Sequence, residues 1–232
     1  MKKTQQQILI IFSGLLIVSC GQNKSNPEKD THTENTTAHT VVINSPEDAL
    51  AEMKNGNQRF LSGKFVNTEY KKQIEQTKTD QHPHTLVLSC QDSRIPPEII
   101  FDQGIGNIFV ARVAGNIEDP NILGSMEFAT KVIGTKLIVV MGHNKCGAVK
   151  GAIDNAELGN LTQLVDQIKP AIVGDTTNLD NMLNQTSKNN VKMTIDDILK
   201  SSSVISSLVK ENKVKLVGAY YDIATGQVTF LE

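Results

Sequence analysis

The chain has 232 residues, 39% of them hydrophobic, which is enough for one domain of ordinary size with extensions. Aromatic residues make up only 4% and tryptophan is absent, so the core must be built from aliphatic side chains. The formal charge is −2 and no basic cluster stands out, which excludes a phosphate backbone, and so a nucleic acid, as the expected partner.

Residues 1–19 read as a targeting segment to be kept out of the fold. Lys2 and Lys3 give a positive start, Ile8–Val18 is an apolar stretch, and Ser19-Cys20 follows it. An apolar stretch of this length is too short for a mature membrane-spanning helix. Ile17-Val18-Ser19-Cys20 resembles the bacterial lipobox, in which cleavage precedes a cysteine that carries lipid. The expectation is a lipoprotein anchored to a membrane through Cys20, outside the cytoplasm, on the periplasmic face or the cell surface. A plain secretory signal whose cleavage point falls beside a cysteine is the alternative. Removing residues 1–19 takes away Lys2 and Lys3 and leaves 21 Lys+Arg against 25 Asp+Glu. Residues 20–44 are rich in Asn, Thr, Ser and Lys without hydrophobic periodicity, the composition of a flexible tether. His32 and His39 within it read as solvated side chains rather than metal ligands.

The folded domain is expected over 45–232. Ser45-Pro46-Glu47-Asp48 supplies an N-cap, a proline at the first helical position and acidic residues in the first turn. Leu50, Met53, Asn57, Phe60 and Leu61 follow at helical spacing, and Gly63 stops the helix. A second helix is predicted over Tyr70–Thr79. Thr85–Ser89 is the first strand, Pro97–Ile100 one helical turn, and Asn107–Val110 the second strand. A helix is predicted from Asp119-Pro120 to about Lys131, and Leu137–Met141 is the third strand. Cys146–Ile153 and Leu161–Ile168 read as helices, and Asp175–Asn190 as a polar, mobile stretch. Helices resume over Thr194–Lys200 and Ser203–Asn212. Lys215–Tyr220 and Gln227–Leu231 then form a hairpin about Ala224-Thr225-Gly226. Strands alternating with helices predict an α/β fold, a mostly parallel central sheet with an antiparallel edge strand, flanked by helices.

Two of these strands end in residues that can bind a metal. TLVLSCQDSR (85–94) breaks into Cys90, Asp92 and Arg94, and LIVVMGHNKCG (137–147) into His143 and Cys146. Function collects at the carboxyl ends of strands in an open parallel sheet. Two thiolates and an imidazole there make a tetrahedral zinc site, completed by Asp92 or by solvent. A Cys90–Cys146 disulfide is the alternative in an exported domain. It leaves Asp92, Arg94 and His143 beside the same thiols without a purpose. Arg94 can compete with the metal for Asp92, and that competition can act as a switch.

C-x-D-x-R followed by H-x-x-C, with GNQRF (56–60), ARVAGN (111–116) and VGAYYDIATGQV (217–228), resembles the β-class carbonic anhydrases from about Pro46 to the C-terminus. The resemblance implies one Zn2+ per chain and the reversible hydration of carbon dioxide to bicarbonate and a proton, by attack of zinc-bound hydroxide on CO2. It implies that Asp92, held by Arg94, orients that nucleophile. Arg112, Asn116 and Gly147 are the candidates for lining the substrate pocket, with a structural role as the alternative for Arg112 and Asn116. It also implies a homodimer or higher homo-oligomer, with the N-terminal helix lying over a second subunit; packing of that helix on its own domain is the alternative. Hydrolysis of a related small molecule, COS or CS2, is one rival activity. A zinc-binding lipoprotein without turnover is another, though a storage site has no need of Arg94. The chain departs from relatives that hold a regulatory bicarbonate beside a Trp three residues before the first zinc cysteine, because that position here is Val87.

Overall fold

The computed structural model of the protein describes residues 42–173 and 178–231. The targeting segment, the lipidation candidate Cys20, His32, His39 and the tether as far as residue 41 lie outside the described residues.

Five strands form one sheet in the order β2-β1-β3-β4-β5. They are β1 Thr85–Ser89, β2 Ile108–Arg112, β3 Leu137–His143, β4 Lys215–Tyr221 and β5 Val228–Leu231. All neighbours pair in parallel except β4 with β5, so the sheet is mostly parallel with an antiparallel edge. Every residue of β1 and β3 is buried, as expected of continuous apolar runs covered on both faces. Side-chain alternation sends Val87, Val139 and Met141 to one face and Leu86, Leu88, Ile138 and Val140 to the other. The first face is covered by α1 Pro46–Ser62, α3 Pro97–Ile100, α5 Gly147–Ile153 and α6 Gly159–Ile168. The second is covered by α4 Pro120–Glu127, α7 Leu179–Ser201 and α8 Ser203–Lys210. The short helix α2, Tyr70–Thr77, buries none of its residues.

The N-terminal helix starts and stops as its sequence predicts. Ser45 and Asp48 form a reciprocal capping box, Pro46 opens the helix, and Gly63 closes it with φ +68. Midway, Asn57 clasps three distant backbone groups. Its Nδ2 donates to the carbonyls of Ile100 and Gly226, and its Oδ1 accepts from the N–H of Val228. The helix that opens the domain is thereby tied to the turn that closes it.

Three expectations need correction. The second strand runs two residues further than predicted, to Arg112, because it follows β1 in register as far as Ser89. The helix from Pro120 keeps α geometry only to Glu127 and widens to π geometry over Phe128–Ile133, where the Thr130 hydroxyl donates back to the Met126 carbonyl. The polar stretch before Asn190 is helical from Leu179 on, part of one 23-residue helix. Its buried face is built largely of Thr186, Ser187, Asn190 and Thr194, which a hydrophobic pattern does not register. No helix among the described residues is long and apolar enough to cross a membrane.

Candidate metal centre

Strand register brings the predicted ligands together. Ser89 of β1 lies beside Met141 of β3, so Cys90 follows one strand just where His143 ends its neighbour. After His143 the chain turns through Lys145, at φ +53, and places Cys146 at the N-cap of α5. Cys90, His143 and Cys146 are all buried, and their ligand atoms lie within 4.8 Å of one another. The two sulfurs are 4.0 Å apart. Tetrahedral zinc with Zn–S bonds of about 2.3 Å sets its sulfurs about 3.8 Å apart, so the donor set fits that ion. Both cysteines are free thiols.

The imidazole is prepared for the same task. His143 Nδ1 bonds the Asn144 carbonyl at 2.8 Å, which fixes the proton on that nitrogen. The other nitrogen, Nε2, is buried and has no partner among the described residues. A buried polar atom left unpaired is unfavourable, and a metal ion would satisfy it.

The thiols titrate as a pair. Cys90 is lowered, first because the Cys146 thiol donates to it, and further by the neighbouring His143 ring and the N–H groups of Gly115 and Asp92, against the opposing effect of burial. Cys146 is pushed up, first because its proton is held in the hydrogen bond to the Cys90 sulfur, then by burial and by the charge of that neighbouring sulfur. The N–H groups of Ala148 and Val149 at the start of α5 oppose that rise. Cysteine binds a metal as the thiolate, so a divalent cation held by this pair would displace the protons of both.

Asp92 is held away from this trio by Arg94. Its Oδ1 accepts from Arg94 Nε at 2.9 Å and from the Arg94 backbone N–H at 3.0 Å, and its Oδ2 accepts from a terminal guanidinium nitrogen at 2.6 Å. The Arg94 guanidinium holds the carboxyl down to about 2. Arg112 serves the backbone, donating to the carbonyls of Cys90 and Asp92. Asn116 is buried in a left-handed conformation, φ +46, and its Nδ2 has no partner among the described residues. Gly147 is exposed at the first turn of α5.

Three contacts around the centre escaped the sequence reading. Gly115 donates its N–H to the Cys90 sulfur at 3.3 Å. Ser187 donates to the His143 carbonyl at 2.9 Å, and Asn190 to the Gly115 carbonyl at 2.7 Å. Gly115 lies inside a motif already singled out, but Ser187 and Asn190 carry no signal beyond their spacing on one helix face.

With this geometry in place, likeness to known proteins becomes informative. Residues 85–228 match the family described as Carbonic anhydrase. A carbonic anhydrase of Mycolicibacterium smegmatis is 34% identical over 191 residues, spanning 79% of this chain and 92% of that protein. Carbonic anhydrase 2 of Mycobacterium tuberculosis is 31% identical over 192 residues, spanning 79% and 91%. The crystal structure of the β-carbonic anhydrase CafA of Aspergillus fumigatus aligns with a TM-score of 0.65 at 26% identity, covering 80% of this chain and 90% of that one. Tetrameric β-carbonic anhydrases of Sordaria macrospora share the fold, with a TM-score of 0.62 at 24% identity over 76% of this chain and 97% of that one.

Proposed function

The chain belongs to the β-class carbonic anhydrases, and from that premise we propose that it hydrates carbon dioxide reversibly to bicarbonate and a proton, with one zinc ion held by Cys90, His143 and Cys146. The observation that carries the reading is the buried Nε2 of His143, without a hydrogen-bond partner among the described residues, beside two sulfurs 4.0 Å apart. Zinc, when bound, supplies the Lewis acidity that lets water act as a nucleophile near neutral pH. The remaining work belongs to the chain. Arg94 occupies both oxygens of Asp92 and keeps that carboxylate off the metal, leaving three protein donors, the number typical of catalytic zinc sites. Asp92, held charged beside the centre, is the acceptor that orients the attacking water. Arg112 braces the loop that carries Cys90 and Asp92, while Asn116 and Gly147 are the candidates for lining the pocket.

The test is stopped-flow CO2 hydration by the purified chain. Rapid turnover, abolished by a zinc chelator and restored by zinc, is expected. A fully zinc-loaded protein that hydrates CO2 no faster than buffer would overturn the assignment.

The same reading extends to placement and assembly. The lipobox-like Ile17–Cys20 supports a lipid on Cys20 that tethers the domain of residues 45–232 to a membrane outside the cytoplasm, through residues 20–44. Cys20→Ala is expected to move the protein from membranes to the soluble fraction without altering the activity of the purified domain. A variant that still carries lipid refutes the anchor. A homodimer or larger homo-oligomer is supported by the unburied helix α2 and its exposed apolar residues.

A further inference from the structure

The buried face of α7 is unexpectedly polar. Thr186, Ser187, Asn190 and Thr194 are almost inaccessible to solvent, although burial disfavours a polar group unless it is hydrogen-bonded. Leu183, Val191 and Ile198 on the same helix show that apolar side chains fit against this side of the molecule. The helix lies as close as the sheet allows, since a Cβ on Gly142 would come within 2.7 Å of Val191 Cγ2.

Two of these polar groups have partners, and both partners lie on segments that build the metal centre. Ser187 Oγ donates to the carbonyl of His143, itself a ligand. Asn190 Nδ2 donates to the carbonyl of Gly115 at 2.7 Å. The amide can be oriented only this way, because the reverse would set its oxygen against another oxygen. Gly115 in turn gives its N–H to the Cys90 sulfur. Glycine is favoured there chiefly by its backbone conformation. Its φ is +74, and a Cβ would come within 2.5 Å of Ile168 Cδ1. With no side chain of its own, this residue is held by its backbone partners.

We propose that Asn190 is a positioning residue of the metal centre: through the Gly115 carbonyl it holds the Gly115 N–H on the Cys90 sulfur, while Ser187 steadies the His143 end from the same helix. The proposal rests on the reading of Cys90, His143 and Cys146 as a metal site. A hydrogen bond onto a ligating sulfur fixes its orientation and tempers its electron donation, so the loss of such a partner costs about 10–100-fold in metal affinity.

The experiment uses the full chain with its metal replaced by cobalt(II), whose thiolate-to-metal absorption reports on the sulfurs. A second readout is the rate of metal loss to excess chelator. Asn190→Ala is expected to shift the absorption band and to lose metal about tenfold faster. Asn190→Ser, which keeps a short donor, should fall between. Ile198→Val, a core truncation on the same helix, and Thr186→Val, which removes a hydroxyl without a partner among the described residues, should keep the wild-type band and rate. An unchanged band and rate in Asn190→Ala, or an equal change in Ile198→Val, would overturn the proposal. If Asn190→Ala does not fold, a folded Asn190→Ser with wild-type band and rate overturns it alone. Wild-type protein that binds cobalt without a sulfur-to-metal band refutes the metal-site reading itself, independently of Asn190.

Discussion

Asp92 receives three hydrogen bonds from a single residue, two from the Arg94 side chain and one from its backbone. Removing the side chain takes away two of them and frees the carboxylate to turn toward the metal. Arg94→Ala is therefore expected to keep its zinc and lose at least about tenfold in CO2 hydration. The loss should be greatest near pH 6 and lessen toward pH 9, because the freed carboxylate competes with water for the metal and ionised water competes better as pH rises. Arg94 holds the Asp92 carboxyl at about 2, and without it the carboxyl rises only toward the ordinary value of about 4, so the group stays charged throughout that range. Zinc content and stopped-flow rates measured across it give the check, and full activity in the zinc-loaded variant would remove Asp92 and Arg94 from the mechanism. Cys90, His143 and Cys146 were legible in the sequence because two ligand-bearing motifs each follow an apolar run of strand length. Ser187 and Asn190 were not, because a buried asparagine and a solvated one look the same in a hydrophobic pattern. Only the contact with a loop 75 residues away distinguishes Asn190.

Among the elements, α1 carries the sharpest conflict between local preference and packing. Gly56 sits in the middle of a helix, where alanine is intrinsically better by about 1 kcal/mol. A Cβ there would lie 1.8 Å from the Phe101 carbonyl oxygen, a backbone atom that cannot step aside. Gly56→Ala is expected to destabilise the domain by more than about 3 kcal/mol despite its better helix propensity, as read from urea unfolding. A variant as stable as the parent would show that α1 and the end of α3 can part at little cost. The boundaries of α1 were readable because cap, proline and stop glycine all agree. Those of α7 were not, since its first half lacks an apolar stripe and is helical through tertiary contact. The widening to π geometry after Glu127 likewise has no mark in the sequence.

On the scale of the molecule, several large apolar side chains among the described residues are exposed. Phe65, Val66, Tyr70, Ile74, Ile99 and Ile105 are each at least two-fifths exposed, and Gln73 of α2 accepts from the Ile105 N–H, which sets α2 beside that loop. A second copy of the chain is the occupant that the proposed assembly supplies. Ile74→Glu should reduce the sedimenting species to a monomer without unfolding it, because more than half of Ile74 is exposed in its own chain. A variant that sediments as the parent does would place the contact elsewhere. The parallel sheet and its antiparallel edge followed from alternating strand and helix patterns. The pairing of the two chain ends through Asn57 did not, because nothing local announces a contact across 171 positions.

That clasp sets the calendar of biogenesis. Asn57 is made first, and its partners Gly226 and Val228 follow it 169 and 171 residues later. At 5–20 residues per second the helix waits about 10–30 s for them. Until then the clasp cannot form, and the nascent domain lacks the contact that ties its first helix to its last hairpin.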